Sequence, residues 1–504
     1  MGTVPWTVYA PTRLKEHWKL PGNLTWQKVR RKVKRLQVRI AKAARQRRLR
    51  TMRSLQWILV HSYFAKLLAI RRVTSNKGRN TPGVDGVIWK TSRQKINAVK
   101  LLNRRGYKAV PLYRVYIPKR SGKLRPLGIP TMRDRAMQAL YAFSLSPIAE
   151  TYGDPYSYGF RHGRSCADAI SHCFHRFCRR SSSQWVLEAD IASCFDEISH
   201  RWLLDNIPVD RKILNQWLHA GFLDKRELYP TLKGTPQGGI ISPILMNMTL
   251  DGLETAAKEN VPFYCKGTTI KNGVTVIRYA DDFIVSAKSR ELLEEKVLPS
   301  LISFLAQRGL RLSEEKTRIT HINEGFDFLG QHVRKCSNGK LYIRPTRKAT
   351  QGLQSAVREV LKAQCVLDNY SMIRRLNQII RGWCNYHRHV CSKHIFSWFD
   401  NWLHFEIRRW LHRRHSNKGR LWIKKKYFRP HRTIRWSFFA EKKLPDGTKY
   451  YRDLIKAVWT PIVRHTKVRC KANPYDPEWN DYFVRRKLSK KYINQDGRFV
   501  EEFG

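Results

Sequence analysis

The chain is short of acid. Its 504 residues carry 39 Asp and Glu against 97 Lys and Arg, a formal charge of +58. Excess charge of one sign on this scale destabilises a compact chain by self-repulsion. It makes sense where a polyanion neutralises it, and a long nucleic acid fits that part. Also missing is any run of about 18 apolar residues, so no transmembrane helix is expected. No polybasic segment adjoins an apolar span, which argues against a membrane partner. The N-terminus, MGTVPWTVYAPTRLKEHW, lacks the apolar core of a secretory signal. Ten cysteines are scattered without a single C-x-x-C pair. Cys166, Cys173 and Cys178 lie near His172 and His175, but the spacing fits no common zinc module. Reduced thiols in a cytosolic protein are the expectation. Repeats and low-complexity tracts are absent too.

Apolar residues make up 42% of the chain, enough for globular packing. The length suggests about two to four domains. Residues 26–50, WQKVRRKVKRLQVRIAKAARQRRLR, hold twelve Lys or Arg and no acid. Val29, Val33, Leu36 and Ile40 recur at helical steps, which predicts a helix with one apolar stripe and a basic remainder. Arg30, Arg31, Lys32, Lys34 and Arg35 are its candidate phosphate contacts. A second helix is predicted over 55–73. PLYRVYIPKRSGKLRPLGIP, 111–130, reads as a hairpin turning at Ser121-Gly122. Helices are predicted over 134–150, 164–180 and 289–308, and WVLEADIASCF, 185–195, as a buried strand ending in polar residues. After about residue 350 three amphipathic helices follow, expected to bundle as a separate α domain. RRWLHRRHSNKGRLWIKKKYF, 408–428, then interleaves aromatics with cations, a pattern that suits RNA or single strands.

The stretch VIRYADDFIV, 276–285, sets two adjacent acids inside a run of strand formers. Charge there is costly unless something uses it. Phosphoryl transfer is helped by two divalent ions, and Mg2+ prefers carboxylate oxygens. A second strand must then bring another acid, and Asp190 at the end of WVLEAD is the candidate, with Glu188 a lesser one. Taken alone, Asp281-Asp282 also suits an ordinary polar turn.

The ordered blocks TPGVDG, VYIPKRSGKLRPLGIPTMRDR, YGFRHGRS, LEADIASCFDEISH, GTPQGGIISPILMN, RYADD, LSEEKT and FDFLG resemble those of group II intron maturase-type reverse transcriptases. LNQIIRGWCNYHRH and KGRLWIKKKYF resemble that family's maturase domain. The likeness covers nearly the whole chain. It implies an α+β right-hand polymerase fold, with fingers and palm containing antiparallel sheet, a helical thumb and a small C-terminal DNA-binding domain. The expected segments are a basic helical extension over 1–75, fingers and palm over 76–345, thumb or maturase domain over 346–430, and a DNA-binding region over 431–504.

The resemblance also implies roles. Asp190, Asp281 and Asp282 would be the catalytic carboxylates and, with the carbonyl of Ile191, the ligands of two Mg2+ ions. Lys119 and Arg125 would hold the triphosphate of an incoming dNTP, although an exposed charged hairpin reads the same way from spacing alone. Gln237, beside two glycines, would line the nucleotide pocket. Phe195, five residues after Asp190, would block a 2′-hydroxyl; a core phenylalanine is the common alternative, but the spacing favours the gate. Lys316 matches a basic position near the palm. Arg381, Arg413, Arg414, Lys418, Arg420, Lys424, Lys425 and Lys426 would contact nucleic acid.

The implied partners are a group II intron RNA, bound as a ribonucleoprotein, and a target DNA. The implied activity is RNA-directed DNA synthesis together with splicing assistance, in a bacterial cytoplasm near the nucleoid. The HNH-type endonuclease that ends many relatives has no counterpart in the residues, so second-strand cleavage is not expected. The alternatives are a maturase that only assists splicing, or a reverse transcriptase repurposed for host defence or repair.

Overall fold

The computed structural model describes residue 18 and residues 20–118, 122, 124–235, 238–261, 264–265, 268–269, 272–362, 368–432, 434–443, 445–489, 492–493 and 499–500. The chain divides into two units with mixed α and β structure. The first comprises residues 1–172, 181–321 and 467–489, and the second 173–180, 322–466 and 490–504.

In the first unit the basic helix forms over Trp26–Arg45, with Thr25 accepting the Lys28 backbone N–H as its N-cap. Val29, Val33 and Ile40 are fully buried, each contributing about 1.5–3 kcal/mol. One polar residue, Gln37, sits buried on the same stripe. Its cause lies in the helix Met132–Tyr152, which carries Pro147 in its interior. Proline has no N–H to give the carbonyl four residues back. Gln37 Nε2 donates to that orphaned carbonyl, Phe143 O, at 2.9 Å. The basic helix is thereby registered on the core, and Arg30, Arg31, Lys32, Lys34 and Arg35 all face outward. The segment predicted as one helix over 55–73 is two, Leu49–His61 and Tyr63–Thr74, separated by Ser62 in an extended conformation.

Two four-stranded sheets follow among the described residues. One holds the predicted hairpin, Leu112–Pro118 with Leu124–Ile129, extended by Phe222–Asp224 and Glu227–Tyr229. The other is antiparallel throughout, in the order Arg318–His321, Trp185–Asp190, Asp282–Ala287, Thr275–Tyr279. Residues 467–489 return to this unit from the far end of the chain. Their anchor is Asp168, fully buried, which accepts the Val468 N–H at 2.7 Å and the Arg486 guanidinium at 2.5 Å.

The second unit holds a three-stranded sheet, Phe326–Phe328, Gln331–Lys335 and Leu341–Pro345. Helices Arg347–Lys362, Asn369–His387 and Lys393–Arg414 follow. The core these helices share does not stop at residue 430. Phe438, Ala440, Leu454, Ile455 and Ala457 belong to it, because the sheet Phe428–His431, Ile434–Lys443, Lys449–Asp453 packs its apolar face there.

Gln37→Leu should leave the Phe143 carbonyl buried without a donor and lower stability by about 1–3 kcal/mol. The urea midpoint of the full chain reads this, and an unchanged midpoint counts against the bond.

Candidate active site

Asp190 and Asp282 stand opposite each other in the register of two antiparallel strands. Asp281 lies in the two-residue turn just before Asp282, so acids nearly a hundred residues apart in the chain meet at one end of the two inner strands. The turn is tight. Ala280 takes φ 60°, a left-handed conformation that costs a residue with a Cβ about 1–2 kcal/mol. Several contacts hold it there. Gly159 presses its backbone on the turn so closely that a Cβ at 159 would lie 2.3 Å from the Ala280 nitrogen. The Gly159 carbonyl accepts from Asn247 Nδ2 at 2.8 Å. Tyr158 N–H donates to the Arg278 carbonyl at 2.8 Å, and Arg278 N–H to the Tyr156 carbonyl at 3.1 Å.

Arg278 itself is 1% exposed, the largest fully buried side chain among the described residues. Its guanidinium donates to Asn247 Oδ1 at 3.2 Å and to Asp251 Oδ1 at 2.6 Å. Burial pushes the Asp251 carboxyl up to about 6, against the pull of Arg278. Arg278, Asn247, Asp251 and Gly159 had no role in the sequence reading. The visible signal was an arginine in an otherwise apolar strand.

The three acids repel one another. Burial first, then the charge on Asp190, raises the Asp281 carboxyl, while Arg125 and Lys316 pull it down. Burial, then Asp281 and Asp190, pushes Asp282 up to about 7, and the protonated group hydrogen-bonds Asp190. Lys316 closes an ion pair on Asp190 Oδ2. It is delivered by the turn Glu314–Lys316, itself pinned where Ser313 N–H donates to the Asp190 carbonyl at 2.8 Å. The hydrogen bond to Asp190 raises the Lys316 ammonium. Lys316 and Arg125 thus offset part of the charge of the three acids, and their mutual repulsion raises Asp281 and Asp282. Among the described residues, no three His, Cys, Asp or Glu groups adopt a metal-holding arrangement.

Glu188 is turned to other work. Arg318 clasps both its oxygens, at 2.7 and 3.0 Å. Ile191 is buried, in an isolated bridge with Leu312. Phe195 is half-buried on the short helix Cys194–Glu197, which follows Ser193 in a left-handed conformation. Its carbonyl accepts the Thr235 N–H at 2.6 Å. A Cβ on Gly234 would meet Asp196 O at 2.5 Å, and one on Gly238, at φ 117°, would meet Gly128 O at 2.6 Å. The glycines thus let one loop lie against both the Phe195 turn and the strand that carries Arg125. Gln237, like Lys119, lies outside the described residues. Arg125 is exposed, opposite Ile117.

In the second unit Arg381, Arg413, Arg414, Lys418, Arg420, Lys425 and Lys426 are exposed and Lys424 is half-exposed. Several cap aromatic faces of the chain itself. Lys426 Nζ lies 4.6 Å from the Trp422 ring, and Lys424 Nζ 3.4 Å from Trp436.

Three family models match the chain. "Reverse transcriptase (RNA-dependent DNA polymerase)" covers residues 117–333, "N-terminal domain of reverse transcriptase" 18–102, and "Group II intron, maturase-specific domain" 350–428. Among similar proteins, protein YkfC of Escherichia coli (strain K12) is 35% identical over 330 residues, covering 56% of this chain and 84% of that protein. Group II intron-encoded protein LtrA of Lactococcus lactis subsp. cremoris is 30% identical over 336 residues, and the match spans 54% of this chain and only 55% of LtrA. Maturase-like protein 1 of Euglena gracilis is 25% identical over 405 residues, covering 75% and 82%.

The raised Asp282 carboxyl has a consequence for stability. Between the ordinary aspartate value of about 3.9 and the folded value of about 7, the folded chain holds a proton the unfolded chain has lost. Its contribution to stability is full below about pH 4 and is lost as pH rises through 7. Asp282→Asn escapes that loss. Without divalent metal, calorimetry should show the variant gaining melting temperature over the parent between about pH 4 and pH 8. An equal difference at both ends would overturn the assignment.

Proposed function

The chain belongs to the family of group II intron-encoded reverse transcriptases and maturases, and from that premise we propose how its residues divide the work of an RNA-dependent DNA polymerase that also assists splicing and retrohoming. One observation carries the reading: Asp190 and Asp282 face each other across adjacent strands, with Asp281 beside them in the turn that leads into the Asp282 strand.

In this reading the antiparallel sheet bearing the three acids is the palm. The hairpin Leu112–Ile129 belongs to the fingers, and the helices from Arg347 onward form the thumb. The donor set suits a hard divalent cation, being carboxylate oxygens whose mutual repulsion is relieved by positive charge. Asp190, Asp281 and Asp282, with the Ile191 carbonyl, would hold two Mg2+ ions, which when bound activate the primer 3′-hydroxyl and neutralise charge on the departing pyrophosphate. Lys316 then exchanges its bond to Asp190 for phosphate oxygens of the nucleotide. Arg125 and Lys119 bind the same triphosphate from the hairpin side. Gly234 and Gly238 lie close against the Phe195 turn and the Arg125 strand, and Gln237 would line the nucleotide pocket. The Phe195 ring lies under the sugar and leaves no space for a 2′-hydroxyl.

Splicing assistance asks no chemistry of the protein in this reading, since the intron RNA supplies its own reactive centre. It asks for a clasp, and a charge of +58 supplies the means. The outward face of Trp26–Arg45 and the cations from Arg413 to Lys426 would hold RNA. Target DNA is the second nucleic-acid partner. No helix among the described residues is long and apolar enough to cross a membrane.

Asp281→Ala should abolish primer extension on an RNA template while RNA affinity stays within about twofold, because nearly all the phosphate-facing charge lies elsewhere. Loss of both together would contradict the division between metal site and clasp. Phe195→Ala should admit ribonucleotides, raising their kcat/KM relative to dNTPs by about tenfold or more. An unchanged preference would remove the gate.

A further inference from the structure

We infer that the second unit carries a built phosphodiester-binding cleft between the helix Asn369–His387 and the strand Lys449–Asp453, fitted to a single strand of nucleic acid. The inference rests on the reading of the chain as a nucleic-acid binder and assigns part of that binding to a particular place. The cleft is open, about 490 Å³, and Arg374, Arg381, Arg432, Arg452, His431 and Trp459 line it. Of its arginines the sequence singled out Arg381 alone, and its strand side lies beyond residue 428, where the maturase-domain match ends.

Charge is the first argument. Four guanidinium groups share the lining with one acid, Asp453. That acid is committed elsewhere: Arg429 holds its two oxygens at 3.0 and 2.5 Å, and His431 Nδ1 lies 3.6 Å away. Four guanidiniums against that one committed acid make the lining positive. Burial and the neighbouring charge of Arg452 both depress Arg381, which shows that the two guanidiniums feel each other. An anion between them would relieve both.

Geometry is the second argument. Arg452 stacks its guanidinium 4.0 Å from the Tyr370 ring and donates Nη2 to the Tyr370 hydroxyl at 3.0 Å, while its buried Nη1 has no acceptor among the described residues. Arg432 adopts φ 52°, a left-handed backbone that a branched chain of atoms does not take without support. The same turn sets its guanidinium 4.8 Å from the Trp459 ring. The floor is fixed by Asn377, which donates to the Asp453 carbonyl at 2.9 Å and accepts the Ile455 N–H at 3.0 Å. A rigid floor, cations spaced around it and a Trp face at the rim are what a phosphodiester with one unstacked base requires. RNA and DNA share that chemistry, and the experiment separates them.

The test uses the full chain and fluorescence anisotropy with labelled single-stranded RNA and DNA of about 12 nucleotides, titrated across salt. Arg374→Gln and the double variant Arg374→Gln/Arg452→Gln are compared with the parent. Arg374 is exposed on its helix, so the single variant should fold normally. Each lost phosphate contact should weaken binding and lower the salt slope by about 1, with a loss of about tenfold or more for the double variant. A loss with RNA alone assigns the cleft to RNA, and an equal loss with DNA assigns it to either strand; both support the cleft. Parent binding with unchanged slopes in both variants would overturn the cleft but leave the chain a nucleic-acid binder. A parent that binds neither strand would overturn both.

Discussion

The centre of the first unit depends on holding like charges together. Asp190, Asp281 and Asp282 meet at one end of the two inner strands because an antiparallel register and a two-residue turn leave them no alternative. Left to themselves, such groups protonate or splay apart. Here the hairpin is not free to move. Next to the turn the buried Arg278 ties it to Asn247 and Asp251, and its tip is pressed by the backbone of Gly159. Part of the repulsion is offset by Lys316, and the rest shows in the raised Asp282 carboxyl. The scaffold has thus already done the work of bringing the three carboxylates together.

The same logic of unbalanced charge, at larger scale, explains the surface. One buried stripe, Val29, Val33 and Ile40 with the small Ala41, Ala43 and Ala44, docks the helix Trp26–Arg45, so its other face is open to carry cations. In the second unit the lysines near Trp422 and Trp436 lie over aromatic faces, which keeps them spread and pre-positioned rather than collapsed on acids. A polyanion that displaces counterions from such a surface gains affinity without any folding of the protein itself.

Much of this was legible in the residues. The helical stripe at Val29, Val33 and Ile40, the hairpin around residues 111–130, and the strand ending at Asp190 all follow from local periodicity, and the structure has them. The convergence of Asp190 on the Asp281–Asp282 turn was inferred from chemistry, since two metals need acids from more than one strand. What stayed hidden was pairing at long range. Gln37 looks like a flaw in its stripe until the carbonyl orphaned by Pro147 is known, and these two positions are about a hundred residues apart. Arg278 reads as an oddity within an apolar strand, and only packing reveals Asn247 and Asp251 beneath it. The segment boundary expected at residue 430 gave no hint that one core crosses it, because strands with alternating burial look polar on average.

The segment 467–489 shows why such long-range pairing matters for the site. It reaches Asp168, whose carboxylate is fully buried and would be costly there without Arg486 and the Val468 N–H. Asp168 lies in the helix Cys166–Phe177, directly after the loop that runs from Tyr156 to Arg164. That loop gives Tyr156, Ser157, Tyr158 and Gly159 to the flank of the acid-bearing hairpin, and Arg164 in turn donates to the Cys470 carbonyl at 3.1 Å. Gly163, at φ 69°, has the Phe483 ring 2.8 Å from where a Cβ would sit. The loop is therefore clasped between two partners, the hairpin on one side and a segment from the far end of the sequence on the other. Loosening either one frees the backbone that keeps Ala280 in its strained turn, so the geometry of Asp281 is set in part by residues two hundred positions away.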